Sequence, residues 1–221
     1  MDFVEYPDAE MMMMDLASVL AGDLENVLLT QDRASFAVPG GTTPGPIFDA
    51  LCAAKHIDWA RVDVMLTDER RVPEDHERSN TRLIRQRLLQ DAAAAANFVN
   101  IIPEDDAALA AKSESLAAHL PISVMLLGMG ADMHTASIFP NSADVTHALG
   151  TDQALAFVQP PDGLEPRVTL SGGVLKGAMA RHIVITGAAK REALERASGL
   201  SPEEAPIAAV LAGSTVHWAE G

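Results

Sequence analysis

The sequence predicts an α/β fold: a single doubly wound domain with a mainly parallel sheet and helices on both faces. Three observations predict it. Short β-rich runs alternate with helical patterns along the chain, as successive βαβ units require. No composition break, Ser/Gly linker or repeat divides the 221 residues, so residues 1–221 read as one domain. An apolar content of 48% is enough to fill one large core.

The elements follow in order. Between Asp8 and Leu28, the residues Ala9, Met13, Leu16, Leu20, Leu24 and Val27 recur at gaps of three or four, which marks one helical face. Asp8 is placed to cap its start. Ser35–Val38 reads as a strand and Pro44–Ala54 as a helix with proline in its first turn. Val62–Leu66 is the next strand, and a helix beginning at Ser79 runs through Leu83, Ile84 and Leu88. Val99–Ile102 reads as a short strand, Asp106–Leu120 as a helix, and Ile122–Leu127 as a continuous apolar, buried strand. Strands near Ala154–Val158, Arg167–Leu170 and His182–Thr186 come next, with helices after Ser171 and Ala188. Thr215–Ala219 reads as a last strand.

Composition narrows the function. There are 31 acidic and 16 basic residues, a net charge of −15. That charge repels phosphate backbones and anionic lipids, so neither a nucleic acid nor a membrane is expected as a partner. Aromatic residues are only 4% of the chain, leaving few platforms for stacking bases or sugars. The lone Cys52 rules out an intrachain disulfide framework and a thiolate metal cluster. The first basic residue is Arg33, so no secretory n-region is visible, and no run approaches the ~20 apolar residues of a membrane span. A cytoplasmic protein, monomeric or a small homo-oligomer, is the expectation.

Ligands of such sheets bind beyond the carboxyl ends of the strands, and the unusual residues fall there. After Val38 comes Pro39-Gly40-Gly41-Thr42-Thr43-Pro44. Its glycines permit close backbone approach, and its hydroxyls and amides suit an anion. An ordinary strand-to-helix turn fits equally well, and without a P-loop lysine the turn does not indicate a nucleoside triphosphate. After Leu66 comes Thr67-Asp68-Glu69-Arg70-Arg71-Val72-Pro73, followed by His76 and Ser79-Asn80. A solvated charged loop explains that segment as readily as a site does. The strongest signal is Leu127-Gly128-Met129-Gly130-Ala131-Asp132-Met133-His134-Thr135-Ala136-Ser137. Met133 breaks the dinucleotide pattern Gly-x-Gly-x-x-Gly. A carboxylate two residues from an imidazole can instead fix its tautomer and prepare a general base. Arg167 and Lys190 each follow a turn and singly look like surface charges; with the Gly40-Gly41 turn they would form a phosphate clamp.

The order of these motifs resembles the 6-phosphogluconolactonases of the glucosamine-6-phosphate isomerase/6-phosphogluconolactonase family. The specific pair is Asp68-Glu69-Arg70-Arg71-Val72-Pro73 with Gly130-Ala131-Asp132-Met133-His134-Thr135-Ala136-Ser137. The resemblance implies a Rossmann-like fold of the sugar-phosphate isomerase type. It also separates the chain from the amino-sugar phosphate deaminases, whose Asp-Gly-His is typically followed by an Ala-Phe-Asn-Glu-like run. Here the run is Thr135-Ala136-Ser137-Ile138-Phe139-Pro140. Two residues depart from the family: Met133 stands where Gly is usual, and Pro39 where Ser is frequent.

What the resemblance implies is hydrolysis of a small sugar-phosphate lactone, 6-phospho-D-glucono-1,5-lactone, with no cofactor and no metal. His134 is the expected base, Asp132 its orienting carboxylate and Arg70 a stabiliser of the oxyanion. Gly40, Gly41, Thr42, Thr43, Arg167 and Lys190 are expected at the phosphate, and Asp68 and Asn80 at sugar hydroxyls. A deaminase-like isomerase, or a sugar-phosphate-binding module without catalysis, are the alternatives. The seven histidines show no H-x-x-x-H or H-x-x-E-H spacing for a metal. Residues 61–87 hold seven of the 16 basic residues against six acids, so the most basic stretch coincides with one candidate segment.

Overall fold

A computed structural model describes residues 1–161 and 163–220. Seven strands form one all-parallel sheet: β1 (Asp2–Tyr6), β2 (Ala34–Val38), β3 (Val62–Leu66), β5 (Asn97–Val99), β6 (Val124–Gly128), β9 (Ala180–Thr186) and β10 (Thr215–Ala219). Their spatial order is β1-β10-β9-β6-β2-β3-β5. Three more, β4 (Asp68–Arg70), β7 (Leu155–Val158) and β8 (Arg167–Leu170), make a small antiparallel sheet in the order β4-β8-β7. The α/β architecture expected from the alternating pattern is therefore present, with this second sheet added.

Burial explains the central strands. All five residues of β2 and of β3 are buried, as β-rich runs covered on both faces must be. The long first helix α1 (Ala9–Thr30) buries Met12, Leu16, Leu20 and Leu24 completely. Asp8 caps it through its side chain, accepting from the Met11 amide. Helix α2 (Gly45–Leu51) follows β2, and α3 (Asn80–Arg87) is capped by the Ser79 hydroxyl on the Arg82 amide. Helices α4 (Leu109–Ser115), α5 (Val145–Gly150), α6 (Gly172–Gly177), α7 (Ala188–Ala197) and α8 (Ala208–Leu211) complete the set.

Several expectations need correction. Strand β1 is absent from the sequence reading because it is an exposed edge strand, paired only with β10, and carries no burial pattern. Strand β5 sits at Asn97–Val99 rather than Val99–Ile102, although Ile101 beyond it is buried. Asp106–Leu120 is not one helix: 3-10 turns at Asp106–Ala108 and Leu116–His119 flank α4. The charged segment after β3 is not a solvated loop, because Asp68 and Glu69 are buried in β4. Short α5 and α8 were not foreseen; six and four residues are too few to show a 3.6 period.

The chain winds from β2 outward to β3 and β5, then returns to place β6 on the other side of β2. The order reverses between β2 and β6, which makes that carboxyl-end crevice the switch point of the sheet. On the opposite flank α1 covers a chain of polar side chains. Tyr6 Oη donates to Asp15 at 2.8 Å and contacts His217 Nδ1 at 2.9 Å. His217 Nε2 lies 3.1 Å from His182 Nδ1, and His182 Nε2 2.8 Å from Asp23.

Candidate active site

The crevice at the switch point opens into a cavity of about 430 Å³. The turn after β2 lines it with Pro39, Gly40, Gly41, Thr42 and Thr43. Two glycines are needed there for different reasons. Gly41 has φ +85°, which favours glycine, and a Cβ on Gly40 would stand 1.9 Å from the Asn80 side chain.

A second wall comes from β4 and the start of α3. Buried Glu69 accepts hydrogen bonds from the amides of Arg70 (2.7 Å), Asn80 (2.8 Å) and Thr81 (2.6 Å), and from the Ser79 and Thr81 hydroxyls. This carboxylate satisfies the first free amides of α3 and fixes the helix against β4. Asn80, so placed, donates from Nδ2 to the Asp68 carbonyl at 2.9 Å and accepts from Arg70 Nη1 at 2.5 Å. Asp68 reaches the cavity wall with Oδ2 taken by the Ser137 hydroxyl at 2.5 Å and Oδ1 by Thr67 at 3.2 Å.

The third wall is the turn after β6. His134 Nδ1 lies 2.6 Å from Asp132 Oδ1, and the same oxygen accepts from the His134 amide at 3.2 Å. The carboxylate is an acceptor only, so Nδ1 carries the hydrogen and Nε2 its lone pair. His134 lines the cavity, and its Nε2 makes no hydrogen bond among the described residues. Burial acts to raise the Asp132 carboxyl, but hydrogen bonds from the His134 ring and amide outweigh it and hold it below the usual carboxylate range. A Cβ on Gly130 would stand 2.2 Å from His134 Nδ1 and 2.5 Å from Asp132 Oδ1, so only glycine accommodates the pair. Phe139 packs on the imidazole with ring centroids 4.9 Å apart.

Met133 takes φ +71°, so it pays the left-handed cost that glycine avoids, about 1 kcal/mol or more. Its side chain does not narrow the cavity; it packs against the hydrophobic core, and its backbone bonds the Gly130 carbonyl and the Ile207 amide.

Arg167 and Lys190 complete the lining. Burial lowers the pKa of both; for Arg167 the neighbouring positive charge of Arg70 adds to it. Lys190 stands in the first turn of α7 behind Gly187, whose φ is +87°. Ten of the residues singled out in the sequence thus line one cavity: Gly40, Gly41, Thr42, Thr43, Asp68, Arg70, Asn80, His134, Arg167 and Lys190. Asp132 stands behind His134. Phe139, from the Thr135–Pro140 run, lines it too, as do Arg78 and Val184, which the sequence does not single out; Arg78 directly precedes Ser79-Asn80, but nothing in its spacing directs its side chain inward.

Three buried side-chain atoms lack a well-formed hydrogen bond among the described residues: Arg70 Nε, Arg78 Nε and Glu165 Oε2. Two of them belong to one ion pair, in which Arg78 Nε lies 2.8 Å from Glu165 Oε1, and Arg70 and Arg78 both line the cavity. The arrangement sets one oriented imidazole opposite a group of cations, which suits proton removal near an anionic substrate. Among the described residues no three His, Cys, Asp or Glu side chains group in a way that could hold a metal ion.

The family model described as glucosamine-6-phosphate isomerases/6-phosphogluconolactonase matches residues 7–218. A 6-phosphogluconolactonase of Pseudomonas aeruginosa is 38% identical over 214 residues, covering 92% of this chain and 88% of that protein. One from Rhizobium meliloti is 37% identical over 221 residues, covering 92% of this chain and 94% of that protein. The crystal structure of a 6-phosphogluconolactonase from Shewanella baltica superposes with a TM-score of 0.94 at 32% identity, covering 99% of this chain and 97% of that one.

Proposed function

The chain belongs to the glucosamine-6-phosphate isomerase/6-phosphogluconolactonase family, and on that footing we propose that its cavity hydrolyses 6-phospho-D-glucono-1,5-lactone to 6-phospho-D-gluconate. This is a carboxylic ester hydrolysis of the pentose phosphate pathway. The observation that carries it is the Asp132-oriented His134 facing Arg70, Arg167 and Lys190 in one cavity.

The residues act as follows in this reading. Asp132 holds Nδ1–H, and His134 Nε2 takes a proton from a water that attacks the ring carbonyl carbon. Negative charge develops on the carbonyl oxygen, where the Arg70 guanidinium lining the cavity offers positive charge. The carbon–ring-oxygen bond then breaks, and the imidazolium returns its proton to the departing hydroxyl. The Gly40–Thr43 turn, Arg167 and Lys190 hold the phosphate; Asp68 and Asn80 meet sugar hydroxyls. Asp68 and Asn80 also position Ser137 and Arg70, so each has a second task.

A lactone is an activated ester, so a sparse apparatus is enough. One general base contributes about 10²–10⁴-fold, and fixed orientation adds to it. No helix among the described residues is long and apolar enough to cross a membrane. A dianionic sugar phosphate does not cross a bilayer unaided, so the reading carries a cytoplasmic location.

Freshly generated lactone supplies the test. The chain should accelerate its hydrolysis well beyond buffer and release no ammonia from glucosamine 6-phosphate. Ammonia release without lactone hydrolysis would transfer the reading to the deaminase branch, and binding of 6-phosphogluconate with no acceleration would reduce the chain to a binding module.

A further inference from the structure

Arg78 lines the cavity but has no part in the proposed hydrolysis. Its Nε lies 2.8 Å from Glu165 Oε1, so an ion pair joins the segment before α3 to the segment entering β8. Each partner also holds a cavity arginine through its backbone. The Arg78 carbonyl accepts from Arg70 Nη1 at 2.7 Å, and the Glu165 carbonyl accepts from Arg167 Nε at 3.0 Å. One ion pair therefore connects the supports of both guanidinia. The adjoining Arg71 amide, on the Pro166 carbonyl at 2.8 Å, ties the same two segments.

The charges need this arrangement. Arg70, Arg78 and Arg167 repel one another, and among the groups acting on Arg167 the counter-charges are Asp68 and Glu165. Asp68 lies across the cavity wall with Ser137, and Glu165 is the carboxylate paired with Arg78. The side chains of the pair are 37% and 25% exposed. An ion pair that open adds little to folding, so its consequence is geometric.

We propose that Arg78 is a positioning residue for the phosphorylated substrate. Its ion pair with Glu165 sets the main-chain supports of Arg70 and Arg167, and so the placement of the cations that meet the phosphate and the oxyanion. The proposal rests on the sugar-phosphate reading of this cavity.

The test uses Arg78→Ala and Glu165→Gln, singly and together, with lactone kinetics, melting temperature and calorimetric binding of 6-phosphogluconate. Each single substitution should raise KM and the 6-phosphogluconate Kd by about 2–5-fold, within the range open to such a pair. Turnover should fall as well, by about 2–5-fold, because the Arg70 guanidinium that meets the oxyanion shifts with its support while the Asp132–His134 pair is untouched. The melting temperature should move by less than about 2 °C. The double variant should be no worse than the worse single one, since the two side chains act as one unit.

Unchanged KM and Kd in both single variants would overturn the proposal. So would losses that multiply in the double variant, or a loss confined to turnover. If Arg78→Ala unfolds, Glu165→Gln decides alone. A native chain that binds 6-phosphogluconate but does not hydrolyse the lactone defeats the hydrolase reading, while the Kd comparison still decides the ion pair.

Discussion

At the scale of single residues, the candidate base depends on a glycine as much as on its carboxylate. Gly130 leaves the only space in which Asp132 and His134 can meet at 2.6 Å, since a Cβ there would enter both side chains. Gly130→Ala should therefore separate the pair, lowering turnover by roughly 10–100-fold, a large part of what a general base contributes. Binding of 6-phosphogluconate, measured by calorimetry, should stay close to native. Near-native turnover in that variant would show that the pair tolerates separation. Met133 illustrates the opposite case. It occupies a left-handed position that favours glycine, yet its side chain lies on the core, away from the cavity.

Among the elements, β4 and α3 are joined by one carboxylate. Glu69 collects five hydrogen bonds from Arg70, Ser79, Asn80 and Thr81, and so places Asn80 against Arg70. Removing it in Glu69→Ala strands several buried donors at once, which should cost roughly 2–4 kcal/mol. Denaturant midpoints would measure this, and a change below about 0.5 kcal/mol would contradict the capping role. The same elements show what sequence can and cannot reveal. The central strands and α1 were legible because full burial imposes apolar runs and a 3.6 period. The turns after β2 and β6 were legible because glycine, Asp and His at fixed spacing answer local geometric needs. Strand β4 reads as a charged loop because its carboxylates are buried by partners ten or more residues away. The Arg78–Glu165 contact is illegible for a similar reason: it joins positions 87 apart, and only the fold brings them together.

At the scale of the molecule, the negative charge and the cavity serve different ends. A net charge of −15 repels large polyanions, while Arg70, Arg167 and Lys190 line one cavity and can act on a small anion at short range. Part of the acidic N-terminal region is engaged in the polar chain under α1, through Asp15 and Asp23. Within that chain burial, reinforced by the positive charge of His182, pushes the pKa of His217 down to about 4. The unfolded chain accepts a proton on this residue near pH 6.5, while the folded one refuses it until about pH 4. Stability from this group is therefore complete above pH 6.5 and declines as the pH falls toward 4, by a total on the order of 3 kcal/mol. Melting temperatures across that range should fall with acid, and His217→Gln should flatten the slope; an unchanged slope would contradict the assignment. The central claim is that this fold delivers a water activated by His134 to a phosphorylated lactone. Its most direct test compares lactone hydrolysis by the native chain and by His134→Ala, with 6-phosphogluconate binding measured on both. Turnover in the variant should be at least ~10²-fold lower with binding nearly unchanged, and near-native turnover would contradict the role of His134.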